Sequence, residues 1–393
     1  MILYVGNFQS ERITRRRGIP GRNAAGSHRM LRLAQALTLG GRAVEILSPA
    51  TSLRATPETQ HDCRSQAEVT EGIPVFYARA SATPLVNMLW TIASLIRKIR
   101  DCREELSAVI VYNFSIEFVF IALYVKGFTR ARLINNVEDV SVPRWRDWGS
   151  SEVNALQQLL FFFCMKFIGY LSDGYIIPTE KFLPYLPLKG KEVSLITGCC
   201  EVTASPSLSI QIPLKILFSG KIEFEHGIEL LINSLKHLDP SLYDRFHLFV
   251  CGTGHKKEWL EQALARLEYP FVEYRGFVSD AEYQTLLQEA DVCLSLQNPH
   301  GRYGSFKTPS KFYEYYSHGK CVIASHAGDY RSLPPDSFLL CEPYDERTLS
   351  AWLQALLTHP QKVVDVKKRA YHHARRTFDF RTVGTHLINQ LSL

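Results

Sequence analysis

Two glycine-containing segments in the second half of the chain carry residues suited to binding an anionic ligand. Gly220 and Lys221 follow an apolar run, and His226 stands five residues later, just before an expected helix. Gly252 follows the next apolar run and begins a Gly-x-Gly turn. Glycine lets the backbone approach a ligand closely, and the free N–H groups of a helix N-terminus favour anions, so these segments could hold a diphosphate. A solvated loop lysine and a purely structural turn are the alternatives.

A third segment combines a lysine and a glutamate at helical spacing. Thr308 is suited to cap a helix that begins at Pro309, which leaves the amides near Ser310 open to phosphate oxygens. Glu314 lies three residues beyond Lys311, so both side chains can point the same way. The carboxylate could accept both hydroxyls of a ribose while the lysine neutralises phosphate. An ordinary i,i+3 ion pair on a solvated surface is the alternative.

The first half of the chain contributes polar residues at two expected strand ends. Asn113 follows the run AVIVY, and Glu138 and Asp139 follow the run LINN. Ligands of open α/β sheets bind outside the carboxyl ends of the strands, so these three residues are candidates for a catalytic site. Paired acids at such a position can also be helix caps.

A strongly basic stretch, expected to be a loop, lies between residues 8 and 27. A single acid, Glu11, opposes five arginines, namely Arg12, Arg15, Arg16, Arg17 and Arg22. A mobile, solvated run of charge would explain it. We expect instead that Arg15, Arg16, Arg17 and Arg22 contact an acceptor or another anionic ligand, such as a polyprenyl diphosphate or an acidic headgroup.

Alternating short apolar runs and helical patterns predict an α/β fold with parallel sheets. We expect an N-terminal domain over 1–200, a linker over 201–213, and a second domain over 214–375. Six strands are predicted in the second domain, over 214–219, 247–251, 272–275, 291–296, 321–325 and 338–341. A C-terminal helix over 376–393 could cross back to the N-terminal domain. Both domains are predicted to be doubly wound and Rossmann-like, with their strand ends turned towards a shared crevice.

Composition limits the possible functions of the 393 residues. A hydrophobic content of 46% allows two buried cores, and a net charge of +6 is too small for a dedicated nucleic-acid binder. The nine scattered cysteines contain no CxxC, which argues against disulfides and structural zinc and favours a reducing cytoplasm. Neither a secretory signal nor a membrane-spanning helix is expected.

Two apolar and basic segments could nevertheless rest on an anionic membrane surface. They are residues 84–105, in which a tryptophan-bearing stretch runs into several cations, and residues 159–171, which read LLFFFCMKFIGYL. Burial against the sheet is the simpler explanation of both.

Four motifs in their order and spacing identify a resemblance. They are GKIEFEHG, CGTGHKKEWLE, VEYRGFVSDAEYQTLLQEADVCLSL and TPSKFYEYYSHGKCVIAS, between residues 214 and 326. They resemble the nucleotide-sugar half of retaining GT-B glycosyltransferases of the large sucrose-synthase-like class, glycosyl transferases group 1. This resemblance implies two domains facing across a cleft, a nucleotide diphosphate sugar as donor, and transfer with retention. No cofactor or metal is implied, and the absence of Asp-x-Asp agrees with this.

The resemblance assigns roles to single residues. Lys221 matches the basic residue on the diphosphate, whereas His226 stands where the family usually has lysine. Glu314 matches the second glutamate of the family's Glu-x7-Glu element, but the first position is Phe306. Arg275 and Phe277 lie in the segment that usually receives the base. Gly26 and Ser27 match the small-residue contact of a loop that lies over the donor phosphate in the family. Gly252 stays a donor-site candidate on account of its Gly-x-Gly turn.

The resemblance also implies how the candidate catalytic residues act. Asn113 cannot act as a base, but the departing phosphate can take the acceptor proton. Glu138 or Asp139 would then position the acceptor or stabilise positive charge on the sugar.

Taken together, the sequence predicts a cytoplasmic, membrane-peripheral enzyme. It would transfer a hexose-type sugar from a UDP- or GDP-sugar to a glycan or lipid-linked glycan in surface polysaccharide assembly. A nucleotide-sugar 2-epimerase of the same architecture is one alternative. A catalytically degenerate glycan-binding protein is another, because Phe306 and His226 depart from the family pattern.

Overall fold

The described part of the chain is built on two β-sheets, one mostly and one fully parallel, each covered by helices on both faces. The computed structural model describes residues 1–19, 24–51, 64–140, 155–202, 208–267, 269–301, 309–326, 330 and 333–393. One compact unit comprises Met1–Cys199 with Phe380–Leu393, and the other comprises Cys200–Asp379. The expected α/β fold with two Rossmann-like units is thus present.

The first unit contains an eight-stranded sheet. Its strands are β1 (Ile2–Val5), β2 (Val44–Ser48), β3 (Gln66–Thr70), β4 (Ile73–Tyr77), β5 (Ala108–Tyr112), β6 (Arg132–Asn136), β7 (Gly174–Ile177) and β8 (Glu192–Leu195). The strand order is β3-β4-β2-β1-β5-β6-β7-β8, and every pair is parallel except β3 with β4. The order reverses beside β1, which is fully buried, as expected of a central parallel strand.

Six helices of the first unit cover its sheet or flank it. They are α1 (Glu11–Arg17), α2 (Ala24–Leu39), α3 (Pro84–Asp101), α4 (Ile116–Phe128), α5 (Ala155–Leu171) and the C-terminal α12 (Phe380–Gln390). Residues of α2 and α12 share one buried core on the sheet, and residues of α3, α4 and α5 share the core on its other face.

Helix α1 replaces the loop predicted between residues 8 and 27. The Ser10 side chain accepts a hydrogen bond from the Ile13 backbone N–H, which caps the first turn. The helix ends at Gly18, which adopts the left-handed conformation at φ 59°. The basic stretch is therefore partly ordered as a short helix.

The second unit contains a six-stranded, fully parallel sheet. Its strands are β9 (Leu214–Ser219), β10 (Phe246–Cys251), β11 (Val272–Gly276), β12 (Val292–Ser295), β13 (Cys321–Ser325) and β14 (Leu339–Cys341). They are arranged in the order β11-β10-β9-β12-β13-β14, which reverses beside β9. All six strands expected in this half are present, with ends within one residue of the prediction.

Six helices pack on this second sheet. They are α6 (Ile228–Ser234), α7 (Lys257–Leu267), α8 (Asp280–Glu289), α9 (Ser310–Ser317), α10 (Glu346–Thr358) and α11 (Gln361–Thr377). Helices α6, α7 and α10 contribute to one core, and α8, α9 and α11 contribute to the other.

Helices α2 and α12 approach each other through glycine. A Cβ atom added at Gly384 of α12 would lie 1.9 Å from the carbonyl oxygen of Ala36 on α2. We therefore expect Gly384→Ala to force the helices apart and to lower the free energy of unfolding of the first unit by about 2 kcal/mol in urea.

The matched control is Gly127→Ala on α4, where an added Cβ meets no atom within 4 Å. There the gain in helix propensity should raise the stability by about 0.5–1 kcal/mol. Equal stability of the two variants would contradict the close helix contact.

Candidate functional site

The reversal of strand order beside β9 marks the ligand-binding edge of the second unit. Side chains and loops that follow β9 and its neighbour β12 lie where open α/β sheets bind ligands. These two loops are joined, because the Asn298 backbone N–H donates to the Glu225 carbonyl oxygen at 2.9 Å. Lys221 lies in the first of them and is exposed.

Three glycines bring the ends of β9, β10 and β11 together without intervening side chains. Gly252 adopts φ 132°, and a Cβ atom there would lie 1.8 Å from the Gly220 carbonyl oxygen. The Gly252 N–H donates to the carbonyl oxygen of Gly276 at 2.7 Å. No other residue type fits at Gly252, so the loop that carries Lys221 is held by a close backbone contact. The Glu223 side chain adds to this, because its Oε1 accepts a hydrogen bond from the His255 backbone N–H at 2.8 Å.

Lys311 and Glu314 form an ion pair on α9. The Lys311 Nζ lies 3.0 Å from Glu314 Oε2, and Glu314 is only 9% exposed. The same Nζ lies 3.7 Å from the ring centroid of Tyr283, in cation–π contact. The pair that the i,i+3 spacing allows is thus formed, and binding of a nucleotide by these residues stays a prediction.

Buried tyrosines hold α9 and its ion pair against the sheet. Burial, together with the nearby Tyr315 and Glu314, raises the pKa of Tyr283 far above its ordinary value, so the ring beneath Lys311 stays a neutral phenol. The Tyr315 hydroxyl donates to the carbonyl oxygen of Ser219, the last residue of β9, at 3.4 Å. Helix α9 is therefore tied to the strand end that leads to Lys221.

The other donor-side candidates lie in different surroundings. Arg275 at the end of β11 pairs with Glu273 at 2.8 Å and with Glu282 at 3.5 Å, so its guanidinium is already engaged by acids. Phe277 directly after β11 is 82% exposed. His226 lies half-exposed in a short 3-10 turn, and Ser310 is the exposed first residue of α9. Thr308 and Phe306 lie outside the described residues.

The first unit has an equivalent polar cluster beside the reversal at β1. Asn113, after β5, adopts the left-handed conformation at φ 56°, which is uncommon for a residue other than glycine. Its Oδ1 accepts hydrogen bonds from the backbone N–H groups of Glu138 at 2.7 Å and Asp139 at 3.2 Å, and its Nδ2 donates to Asp139 Oδ2 at 3.0 Å. The three predicted catalytic residues therefore lie together, because Asn113 is hydrogen-bonded to both Glu138 and Asp139.

Arg29 joins this cluster and was not predicted from the sequence. Its Nε lies 2.8 Å from Glu138 Oε1, and both side chains are largely buried. Burial alone would lower the pKa of Arg29, but the Glu138 carboxylate raises it above its usual value. The Asn136 Nδ2 also donates to Glu138 Oε1 at 3.0 Å, while the Tyr4 hydroxyl donates to Asn136 Oδ1. Glu138 is thus held in one orientation.

Asp139 differs from Glu138 in its surroundings. Loss of surrounding water and the charge of Glu138 raise the pKa of Asp139, and the Asn113 amide only partly offsets this. Its side chain is nevertheless solvent-exposed. Asp139 is therefore the acid of this pair that a ligand could reach.

The basic stretch is divided between surface and interior. Arg15 and Arg16 on α1 are exposed, and Arg15 pairs with Glu11 at 3.1 Å. Arg17 is fully buried and donates to the carbonyl oxygens of Pro49, Ala50, Arg64 and Ala78. The prediction that Arg17 contacts an anionic ligand is wrong, because backbone carbonyls surround its guanidinium. Arg22 lies outside the described residues.

The expected phosphate contact at the start of α2 also needs correction. Ser27 is fully buried, and its hydroxyl accepts a hydrogen bond from the Gln9 backbone N–H at 2.9 Å. Gly26 is buried as well. The Ser27 side chain therefore ties the loop after β1 to α2 and is not open to a ligand in this structure.

Metal-binding clusters and membrane-spanning helices are both absent from the described ranges. No group of three or more His, Cys, Asp or Glu side chains in those ranges could hold a metal ion. Within the same ranges, no helix is both long and apolar enough to span a bilayer.

Comparison with known proteins agrees with this architecture. Residues 206–373 match the family model described as "Glycosyl transferases group 1". No curated protein matches the chain. The resemblance inferred from the four motifs is thereby confirmed for the second unit.

Several solved structures share the fold of the whole chain. Sucrose-phosphate synthase from Thermosynechococcus elongatus is 16% identical with a TM-score of 0.65, and the match covers 99% of this chain and 97% of that one. Anabaena HepE in complex with UDP and glucose is 15% identical with a TM-score of 0.64, over 100% and 99% of the two chains. WaaG, a glycosyltransferase involved in lipopolysaccharide biosynthesis, is 13% identical with a TM-score of 0.59, over 99% of each chain. The predicted GT-B fold is confirmed.

The raised pKa of Asp139 leads to a prediction about stability and pH. Because this pKa lies above the ordinary aspartate value of 3.8, ionising Asp139 destabilises the folded state as the pH rises through the raised pKa. We expect Asp139→Asn to be more stable than the wild type in urea at pH 7, with an advantage that shrinks as the pH falls towards 3.8. A variant that is less stable at pH 7 would show that ionised Asp139 is well accommodated.

Proposed function

We propose that this chain, a glycosyltransferase whose residues 206–373 match the group 1 family, transfers a sugar from a nucleotide diphosphate sugar to a glycan or lipid-linked glycan. We infer that the reaction retains the anomeric configuration, needs no metal ion, and serves the assembly of a surface polysaccharide. The described cysteines are free thiols, which supports the proposal that the protein works in a reducing compartment such as the cytoplasm.

The Lys311–Glu314 pair is the observation that carries this proposal. A carboxylate that is nearly buried, yet held at a strand-end edge, can accept hydrogen bonds from two neighbouring ribose hydroxyls. In the free protein Lys311 Nζ pairs with Glu314 Oε2 at 3.0 Å. When a nucleotide binds, Lys311 can turn to a phosphate oxygen while the ribose hydroxyls replace it at the carboxylate.

The diphosphate would be bound by the loop after β9. Lys221 is exposed there, and the backbone contact between Gly220 and Gly252 fixes the loop. Phe277 offers an exposed ring after β11 on which a base could stack. HepE is described in complex with UDP-glucose, which supports UDP-sugars as the first donors to test and GDP-sugars as the second.

Acceptor binding and charge stabilisation would fall to the first unit. Arg29 and Asn136 hold Glu138, and Asn113 orients Asp139, so both carboxylates have fixed orientations. In the transfer, the bond from the anomeric carbon to the diphosphate oxygen breaks and a bond to the acceptor oxygen forms. The acceptor proton passes to the departing phosphate, which leaves as part of the nucleoside diphosphate. The acids would stabilise positive charge on the sugar. Arg15 and Arg16 would contact an anionic acceptor.

Stereochemistry and metal dependence can be measured directly on the full chain. Proton NMR of the anomeric signals should show the donor configuration in the product, and turnover should be unchanged in EDTA. Inversion or loss of turnover in EDTA would refute the corresponding part of the proposal.

Glu314→Gln tests the donor site. It replaces the carboxylate by an amide of the same shape, and the loss of charge-assisted hydrogen bonds should weaken UDP binding in calorimetry by about ten- to a hundredfold. The control is Glu289→Gln, which removes the acid of an exposed pair with Lys215 at 2.8 Å on the same unit. UDP affinity should be unchanged there. Equal affinity of both variants for UDP and GDP would exclude Glu314 as a ribose ligand.

A further inference from the structure

Helices α4 and α5 of the first unit expose large apolar side chains instead of polar ones. Both pack on the same core of the sheet as α3, so their outer surfaces lie on one side of the unit. The exposed apolar residues on these two outer surfaces include Phe120, Leu123, Phe128, Leu159, Leu160, Phe163, Phe167 and Tyr170. We call these eight residues the α4–α5 surface.

The residues of α5 follow helical spacing on the side away from the sheet. Leu159 and Leu160 are followed by Phe163, Phe167 and Tyr170 at intervals of three and four residues, whereas Met165 and Ile168 are buried beneath. A helix on the surface of a globular protein normally carries charged and polar residues on its outer side. Phe163 is 59% exposed and Tyr170 is 71% exposed, so the outer side of α5 is not covered by the described residues.

Exposed cations lie near the C-terminal ends of α4 and α5, and α5 contains no acidic residue. Lys166, the charged residue of α5, donates to the Tyr185 carbonyl oxygen and does not interrupt the apolar stripe. Arg130 is exposed just beyond the end of α4. Lys189 is exposed in the turn before β8, two residues from Lys191, whose Nζ donates to the Tyr170 carbonyl oxygen at the end of α5 at 3.0 Å. Lys126 at the end of α4 pairs with Asp173 at 2.8 Å. A layer of aromatic and aliphatic side chains with cations at its border complements a bilayer whose headgroups carry phosphate.

We infer that the α4–α5 surface docks on the surface of an anionic bilayer. The aromatic and leucine side chains would enter the boundary between headgroups and acyl chains, with the helices lying in the plane of the membrane. Arg130 and Lys189 would contact headgroup phosphates. An interface with another protein would need polar partners, since such interfaces carry about ten hydrogen bonds, and the outer side of α5 offers few groups for them.

The sequence analysis also considered residues 84–105, which form α3, for membrane contact, with burial against the sheet as the simpler explanation. Leu95 and Ile99 of this segment are fully buried, and its exposed large apolar residues are Leu85 and Leu89 near the start of α3. Two of its cations, moreover, are paired locally, Lys98 with Glu45 and Arg103 with Glu104. Helix α4, which the sequence did not single out, contributes Phe128 at 71% exposure instead.

Vesicle flotation of the full chain tests the inference. We expect the wild type to float with vesicles of phosphatidylcholine that contain about one-third phosphatidylglycerol, and less with phosphatidylcholine alone. The double variant F163S/F167S should reduce partitioning about tenfold or more. Arg130→Glu should reduce binding to the anionic vesicles alone, by about fivefold or more.

The matched control is the double variant L39S/V69S. Leu39 on α2 and Val69 on β3 are exposed apolar residues of the same unit away from the α4–α5 surface, and partitioning should be unchanged. UDP binding should be equal in all variants, so failure of the docking surface is distinguishable from failure of the donor site. Equal flotation of F163S/F167S and L39S/V69S would overturn the inference. A wild type that does not bind vesicles and forms dimers in sedimentation equilibrium would also overturn the inference.

Discussion

The geometry of the proposed donor site depends on the backbone contact between the ends of β9 and β10. Only glycine at position 252 lets the two chains approach, because a Cβ atom would lie 1.8 Å from the Gly220 carbonyl oxygen. This contact fixes the turn that leads to Lys221, and the Tyr315 hydroxyl reaches the residue just before it. Lys221 and the Lys311–Glu314 pair are therefore connected to one strand end through short, specific contacts.

Burial determines what the charged residues around these strand ends can do. Lys311 pairs with the largely buried Glu314 and rests on the Tyr283 ring. In the first unit, Arg29 pairs with Glu138. A buried ion pair is weak evidence for stability, because desolvation offsets much of the attraction. Both pairs instead hold a carboxylate in one orientation at the edge where open sheets bind ligands, which is a property of binding and catalytic sites. Arg17 is the contrasting case, because backbone carbonyls accept hydrogen bonds from both terminal nitrogens of its guanidinium.

The sequence was sufficient for features that depend on local patterns. The six strands of the second unit are β-branched and apolar runs, and they appear within one residue of the predicted ends. Strands β3 and β4 were not predicted, because the Glu71-Gly72 turn between them lacks the Asn-Gly or Asp-Gly signal of a tight hairpin. Helix α1 was missed because its arginines suggested a solvated loop, although Ser10 and Gly18 are good end signals.

Contacts between distant residues could not be derived from one sequence. Arg29 and Glu138 are far apart along the chain, and their pairing depends on how α2 packs on the sheet. Arg17 was assigned to the surface because charged residues usually lie there, and nothing local indicated the four carbonyls that surround it. The glutamate and lysine of α9 were recognised because their spacing is local, but the Tyr283 ring beneath Lys311 depends on the packing of α8.

A crystal structure of the chain soaked with UDP tests the central proposal most directly. We expect the ribose hydroxyls to lie within hydrogen-bond distance of the Glu314 carboxylate, with the diphosphate against Lys221 and Lys311. UDP bound at another edge of the second unit, or a ribose with no contact to Glu314, would contradict the proposed donor site.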